Sequence, residues 1–155
     1  RDLPGETLVR YVPNADHSLK ESDAWETLLG WYHAILNGKR RPRFDWRLET
    51  DDSLRVEPKD APDAARLWFA NNPEQRDFRL DTLGPVWKSR ELAPGPDGAY
   101  TTRLIEPERG WTAQLIELTY DQGGPAPVKL TTEVFVRPKA LPYPAPNLVP
   151  PTLSE

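Results

Sequence analysis

Residues 11–36, YVPNADHSLKESDAWETLLGWYHAIL, decide how the chain is read. The second half of this stretch is helical by pattern. Trp25, Leu28, Leu29, Tyr32 and Leu36 follow i, i+3, i+4, i+7 and i+11 spacing, one apolar stripe at a 3.6-residue period. Ala24 and Ile35 flank it. The helix starts near 18–23. Ser22 or Asp23 is the expected N-cap, and Asp23-x-x-Glu26 resembles a capping box. Asn37-Gly38 is a stop signal, because glycine accepts the left-handed conformation that commonly ends a helix. Lys39, Arg40, Arg41 and Arg43 follow, where positive charge is favoured by the helix dipole.

Upstream, TLVRYV (7–12) is rich in β-formers and reads as a strand. Pro13 ends it by lacking an N–H, and Asn14 and Asp16 are turn formers. Strand, short polar loop and helix therefore enclose His17, one of only two histidines. Trp31 lies well off the centre of the stripe and is expected to meet either the β-domain that follows or solvent. His33 sits on the flank of the stripe and reads as a boundary residue, with no second metal ligand one turn away.

Downstream of residue 43 the period changes. FDWRLE (44–49), LRVE (54–57), AARLWFA (64–70), VWKSREL (86–92), AYTTRLI (99–105), WTAQLIELTY (111–120) and VKLTTEVFVR (128–137) are β-like runs about ten residues apart. Turn chemistry separates them at Asp51-Asp52-Ser53, Pro96-Asp97-Gly98 and Gly123-Gly124-Pro125. Seven such runs point to an immunoglobulin-like β-sandwich, without the Cys–Trp–Cys signature of a true immunoglobulin. Trp46, Trp68, Trp87 and Trp111 lie within strand patterns, so filling the sandwich outweighs sugar stacking as their role. Asn71 to Asp77 reads as a turn held by Asn and Asp side chains. A cation held by Glu74 and Asp77 is the weaker alternative, and Arg76 is the expected partner of Asp77. The expected division is residues 1–43, 44–138 for the sandwich, and a proline-rich tail at 139–155.

Composition bounds the rest. The 155 residues carry a net charge of −4, which argues against nucleic acid as a partner because phosphate binding needs a basic face. Zero cysteines exclude disulfides and thiolate metal sites. No apolar run reaches the length of a membrane span and no secretory leader is visible. No cofactor or metal is expected. With zero methionines the chain reads as a mature or cut piece of a longer product. One strand and one helix cannot bury their own faces. Residues 1–43 are therefore expected to be the C-terminal end of a larger α/β domain.

The chemistry of His17 is read from its context. In α/β-hydrolases the triad runs Ser, Asp or Glu, then His along the chain. A histidine between strand and helix can take a proton from a serine hydroxyl and return it to the leaving group. The partners are not supplied here. No Gly-x-Ser-x-Gly occurs in the chain. Asp16 adjoins His17 and is a poor orienter, since neighbouring side chains on an extended loop point apart. On residues alone, a loop histidine bonded to backbone stands as the alternative.

Several motifs add a family likeness. Leu3-Pro4-Gly5, Tyr11-Val12-Pro13-Asn14 and Asp16-His17 resemble the PhoPQ-activated pathogenicity-related protein family (PqaA type). Leu67-Trp68, Ala70-Asn71-Asn72-Pro73, Arg76-Asp77-Phe78-Arg79, Gly110-Trp111-Thr112-Ala113 and Thr131-Thr132-Glu133-Val134 continue the likeness to about residue 143. The resemblance implies the C-terminal portion of a secreted or periplasmic α/β-hydrolase-like protein with an appended β-sandwich. It also implies that His17 is the triad histidine. The serine and acid would come from a missing N-terminal hydrolase segment or chain, and the substrate would be a small molecule or peptide with an ester or amide bond. The alternative is a non-catalytic binding or structural module built on the sandwich.

Overall fold

The computed structural model describes residues 7–142. Leu3-Pro4-Gly5 and most of the proline-rich tail lie outside the described residues. The elements in chain order are α1 (Ala24–Leu36), β1 (Phe44–Leu48), β2 (Ser53–Pro58), β3 (Ala64–Asn72), α2 (Leu80–Leu83), β4 (Lys88–Glu91), β5 (Tyr100–Arg103), β6 (Trp111–Tyr120), β7 (Val128–Thr131) and β8 (Phe135–Arg137).

Two antiparallel sheets form. One has the order β1-β2-β5, and the other has β4-β3-β6-β7 with β8 also on β6. Alternation places Leu54 and Val56 of β2 inward, opposite Ala65 and Leu67 of β3 and Ile116, Leu118 and Tyr120 of β6. Val128 and Leu130 complete the core, and Trp46 closes one side edge-on to Phe135, ring centres 5.5 Å apart. The central strand β6 is buried on both faces over almost its whole length. This arrangement fits an all-β sandwich. Among the described residues every strand pair is antiparallel, so no α/β layer forms around His17.

Among the described residues eight strands stand where seven runs were expected. The run 128–137 is broken by a bulge. Thr131 lies opposite Glu117, but Phe135 lies opposite Gln114, so the register slips by one residue between them. The buried Thr132 repairs the ladder: its N–H donates to Ile116 O (2.9 Å), and its hydroxyl accepts from the Ile116 N–H (3.1 Å). A sequence of uniformly β-forming residues hides such a slip.

The expected strand at 7–12 is not a strand. It runs extended beside β7 and shares one backbone bond with it, Thr131 N–H to Val9 O (3.0 Å), while the Tyr11 N–H donates to the Thr131 hydroxyl (3.0 Å). The other outward N–H of β7, on Lys129, is taken by the Thr27 hydroxyl of α1 (3.2 Å). Segment and helix together cover an edge that would otherwise invite further pairing.

The helix faces the other way from its stripe. Its buried residues are Gly30 and Ala34, and Trp31 packs against the sandwich core. A Cβ on Gly30 would stand 2.4 Å from the Ala126 carbonyl oxygen, so glycine alone permits this approach. The stripe points outward: Trp25 is 65% exposed, Leu28 56% and Leu36 67%. The C-terminus ends as expected, with Gly38 at φ +60° and the Lys39 N–H returning to Ala34 O (2.9 Å). The N-terminal capping box is not made. The Asp23 carboxylate turns away to Arg10 and Lys129.

Candidate functional site

The loop bearing His17 is held at both ends. Behind it, Arg10 is nearly buried and donates to the Asp23 carboxylate, to Asp23 O (2.9 Å) and to the Thr27 hydroxyl. Lys129 of β7 donates to the same carboxylate and lies 3.6 Å from Glu26. Burial pushes the Asp23 pKa up, but the Lys129 and Arg10 bonds and charges outweigh it and leave the carboxyl below its ordinary value. One acid thus joins the extended segment, the helix and the sheet.

Ahead of His17, Asn14 sits in the left-handed region at φ +56°, a conformation Asn tolerates. Its side chain pairs both ways with the backbone of Trp87: Nδ2 donates to Trp87 O (2.9 Å), and Trp87 N–H donates to Oδ1 (3.0 Å).

His17 itself is exposed on a turn, and its imidazole makes no hydrogen bond among the described residues. Asp16 is committed elsewhere. Its Oδ1 accepts from the Ser18 N–H (2.8 Å), the Ser18 hydroxyl (2.7 Å) and the Leu19 N–H (3.1 Å). The Ser18 hydroxyl bond is foremost in holding its carboxyl below the ordinary value. These bonds make Asp16 a turn former.

Beside the loop lies a groove of about 840 Å³ between segment 7–12 and α1. Leu8, Val12, Leu19, Trp25, Leu28 and Trp31 give it apolar walls, and Ser18 reaches its rim.

The 71–79 loop resolves as a turn. Buried Asn72 donates to Asp77 O (2.7 Å) and accepts from Glu74 N–H (3.0 Å) and Gln75 N–H (3.1 Å). Asp77 pairs with Arg79, not with the expected Arg76, and the Thr82 hydroxyl joins it (3.1 Å). The short helix α2 brings Thr82 round, which the sequence did not signal. The Arg79 bond holds the Asp77 carboxyl far below its ordinary value. Glu74 is taken by Arg109 (2.8 Å). Both acids are matched by cations, and among the described residues no cluster of three metal-ligating side chains occurs. His33 is half-buried against Gly124, its Nδ1 without a hydrogen-bond partner, as a boundary residue would be. Trp87 and Trp111 spend their indole N–H groups on Phe78 O (3.2 Å) and Ala140 O (3.3 Å).

Sequence reasoning singled out His17 and missed Arg10, Thr27 and Asn14 as the groups that hold its loop. Arg10 carried a signal: a lone cation inside LVRYV needs an anion nearby once that run is half-buried.

The model of the PhoPQ-activated pathogenicity-related protein family matches residues 1–79, which include the His17 loop, α1 and β1 to β3. The autocrine proliferation repressor protein A of Dictyostelium discoideum is 26% identical over 163 aligned residues, covering 89% of this chain and 33% of that protein. The chain thus spans about a third of the length of that relative. No solved structure matches the chain. With half of its length matched, and with the motifs around His17 inside the match, the chain belongs to the PhoPQ-activated pathogenicity-related protein family.

Proposed function

We propose that the chain is the C-terminal portion of a secreted or periplasmic serine hydrolase acting on ester or amide bonds, with His17 as general base and acid. The observation that carries this reading is His17 itself: exposed on a loop whose two ends are fixed, inside the residues the family model matches. In the reaction its Nε2 takes the proton of a serine hydroxyl as the Oγ–carbonyl carbon bond forms. It then returns that proton to the departing alcohol or amine, and a water reverses the sequence to free the acid. An acid must hold Nδ1, and Asp16 is committed elsewhere. Serine and acid therefore belong to polypeptide outside these residues, in keeping with the one-third share of the Dictyostelium relative. The same polypeptide covers the outward stripe of α1, which completes the α/β layer. Among the described residues no helix is long and apolar enough to cross a membrane.

A second reading rests on one observation. The Dictyostelium relative is named for repressing proliferation, which favours a binding module that uses the apolar groove without catalysis. Labelling of the longer protein with a fluorophosphonate separates the two. The hydrolase reading predicts one labelled serine, and a His17→Ala variant labelled more slowly by at least about 10³-fold. Equal labelling of the two, or none in either, rejects it.

A further inference from the structure

We propose that Asn14 is a positioning residue for His17, and that the β-sandwich sets the place of the imidazole through it. The inference rests on the hydrolase reading above. Three observations carry it.

First, one carboxamide satisfies both backbone groups of Trp87, the N–H and the C=O. Only Asn does this from that position. Asp lacks the donor, and Gln is a methylene too long. Second, among the described residues the pairing is the link to the sheet side nearest to His17 along the chain, three positions before it; the Tyr11 link and the Arg10 link, which runs through Asp23, lie further back. Third, Trp87 stands on a rigid support. Its indole N–H is bonded to Phe78 O and its ring meets Phe78 edge-on, centres 6.2 Å apart. Phe78 follows Asp77, which buried Asn72 at the end of β3 holds by its carbonyl. That corner is closed in turn by Gly110, at φ +72°, where a Cβ would stand 2.2 Å from Asn72 O. The imidazole is thus referred, through four short links, to the ends of β3 and β6.

A base that must meet a serine from a separate part of the protein gains from such a fixed reference. A misplacement of about 1 Å lowers the rate by roughly a hundredfold.

The test uses the longer protein and a fluorophosphonate probe, with labelling rates followed against probe concentration at one fixed pH. Asn14→Gly keeps the left-handed backbone and loses both bonds. Asn14→Asp keeps the acceptor and loses the donor. Both are expected to lower the limiting rate by about ten- to a hundredfold, Gly more than Asp. The half-saturating probe concentration should stay unchanged, and melting temperatures should lie within a few degrees of the parent. Trp87→Phe leaves the backbone pairing intact but loses the indole bond to Phe78 O, and is expected to lower the rate less than Asn14→Gly does. A parent that labels while Asn14→Asp matches it overturns the positioning role alone. So does a Trp87→Phe variant as slow as Asn14→Gly, since the indole alone, and not the backbone pairing, would then hold the loop. A parent that does not label at all overturns the hydrolase reading, and this inference with it. If Asn14→Gly does not fold, Asn14→Asp decides.

Discussion

The two leucines Leu118 and Leu28 mark two regions built on opposite terms. Leu118 is fully buried in β6, among Leu54, Val56, Leu67 and Ile116 from both sheets. Leu28 is over half exposed on α1, in line with Trp25, Tyr32 and Leu36. The sandwich closes its apolar faces on itself. The segment 7–36 leaves most of its stripe outward: it is fastened to the sandwich by polar groups, Arg10, Asp23, Thr27 and Lys129, by the glycine-thin face of its helix, and by Leu8 and Trp31, which pack against the core. Hydrophobic periodicity tells which residues share a face, and says nothing about which neighbour that face meets. Here the closest approach, at Gly30, decided that the small face turns inward.

Substitutions should separate the two regions, the largest effect first. Leu118→Ala should destabilise the 155-residue chain by about 2–5 kcal/mol in urea titration, through lost burial and the cavity left behind. Gly30→Val should cost about 1–3 kcal/mol, because its Cβ meets the Ala126 carbonyl and the helix must lift from the loop. Loss of helical signal before the main unfolding transition would mark that event, and a single unchanged transition would contradict the contact.

Asp23→Asn should cost about 1–2 kcal/mol at pH 7, a figure reduced for the partial exposure of the carboxylate, since Arg10 and Lys129 lose their anion. The pH dependence has a definite sign. The Asp23 carboxyl is depressed in the folded chain, so its contribution is complete above the unfolded value of about 3.9 and fades as pH falls through the lower folded value. Parent and Asp23→Asn stability should therefore converge below about pH 4. A gap that persists to lower pH would place the effect elsewhere. Leu28→Ser, the smallest change, should stay within about 0.5 kcal/mol in the isolated chain. In the longer protein it should cost several times more if the stripe is covered there.

Much of the sandwich was legible because strands with one inward face advertise period two, and the turns at Asp51-Asp52-Ser53 and Pro96-Asp97-Gly98 carry the residues their backbones need. Asp52 sits at φ +61° and Gly98 at φ +78°. The helix and its Gly38 stop were legible for the same reason. Three features were not. The bulge at Thr132 depends on a hydroxyl replacing a backbone group, which composition cannot announce. The 7–12 run has strand-forming residues, yet it finds only a four-residue edge to pair with, part of it already taken by Thr27. Asp23 reads as a cap, but two cations reach it first. At the candidate site, the loop that carries His17 was legible from its place between segment and helix. The Asn14 clamp was not, because its partner is the backbone of a residue 73 positions away, and a backbone group leaves no mark in sequence.

Hydroxyl-radical footprinting of the outward stripe tests the central claim most directly, that α1 presents an interface and not a finished surface. Trp25 and Tyr32 should oxidise rapidly in the 155-residue chain and be protected severalfold or more in the longer protein, while Trp46 in the sandwich reacts alike in both. Equal oxidation of Trp25 and Tyr32 in the two proteins would contradict the account and leave the stripe as plain solvent-facing surface.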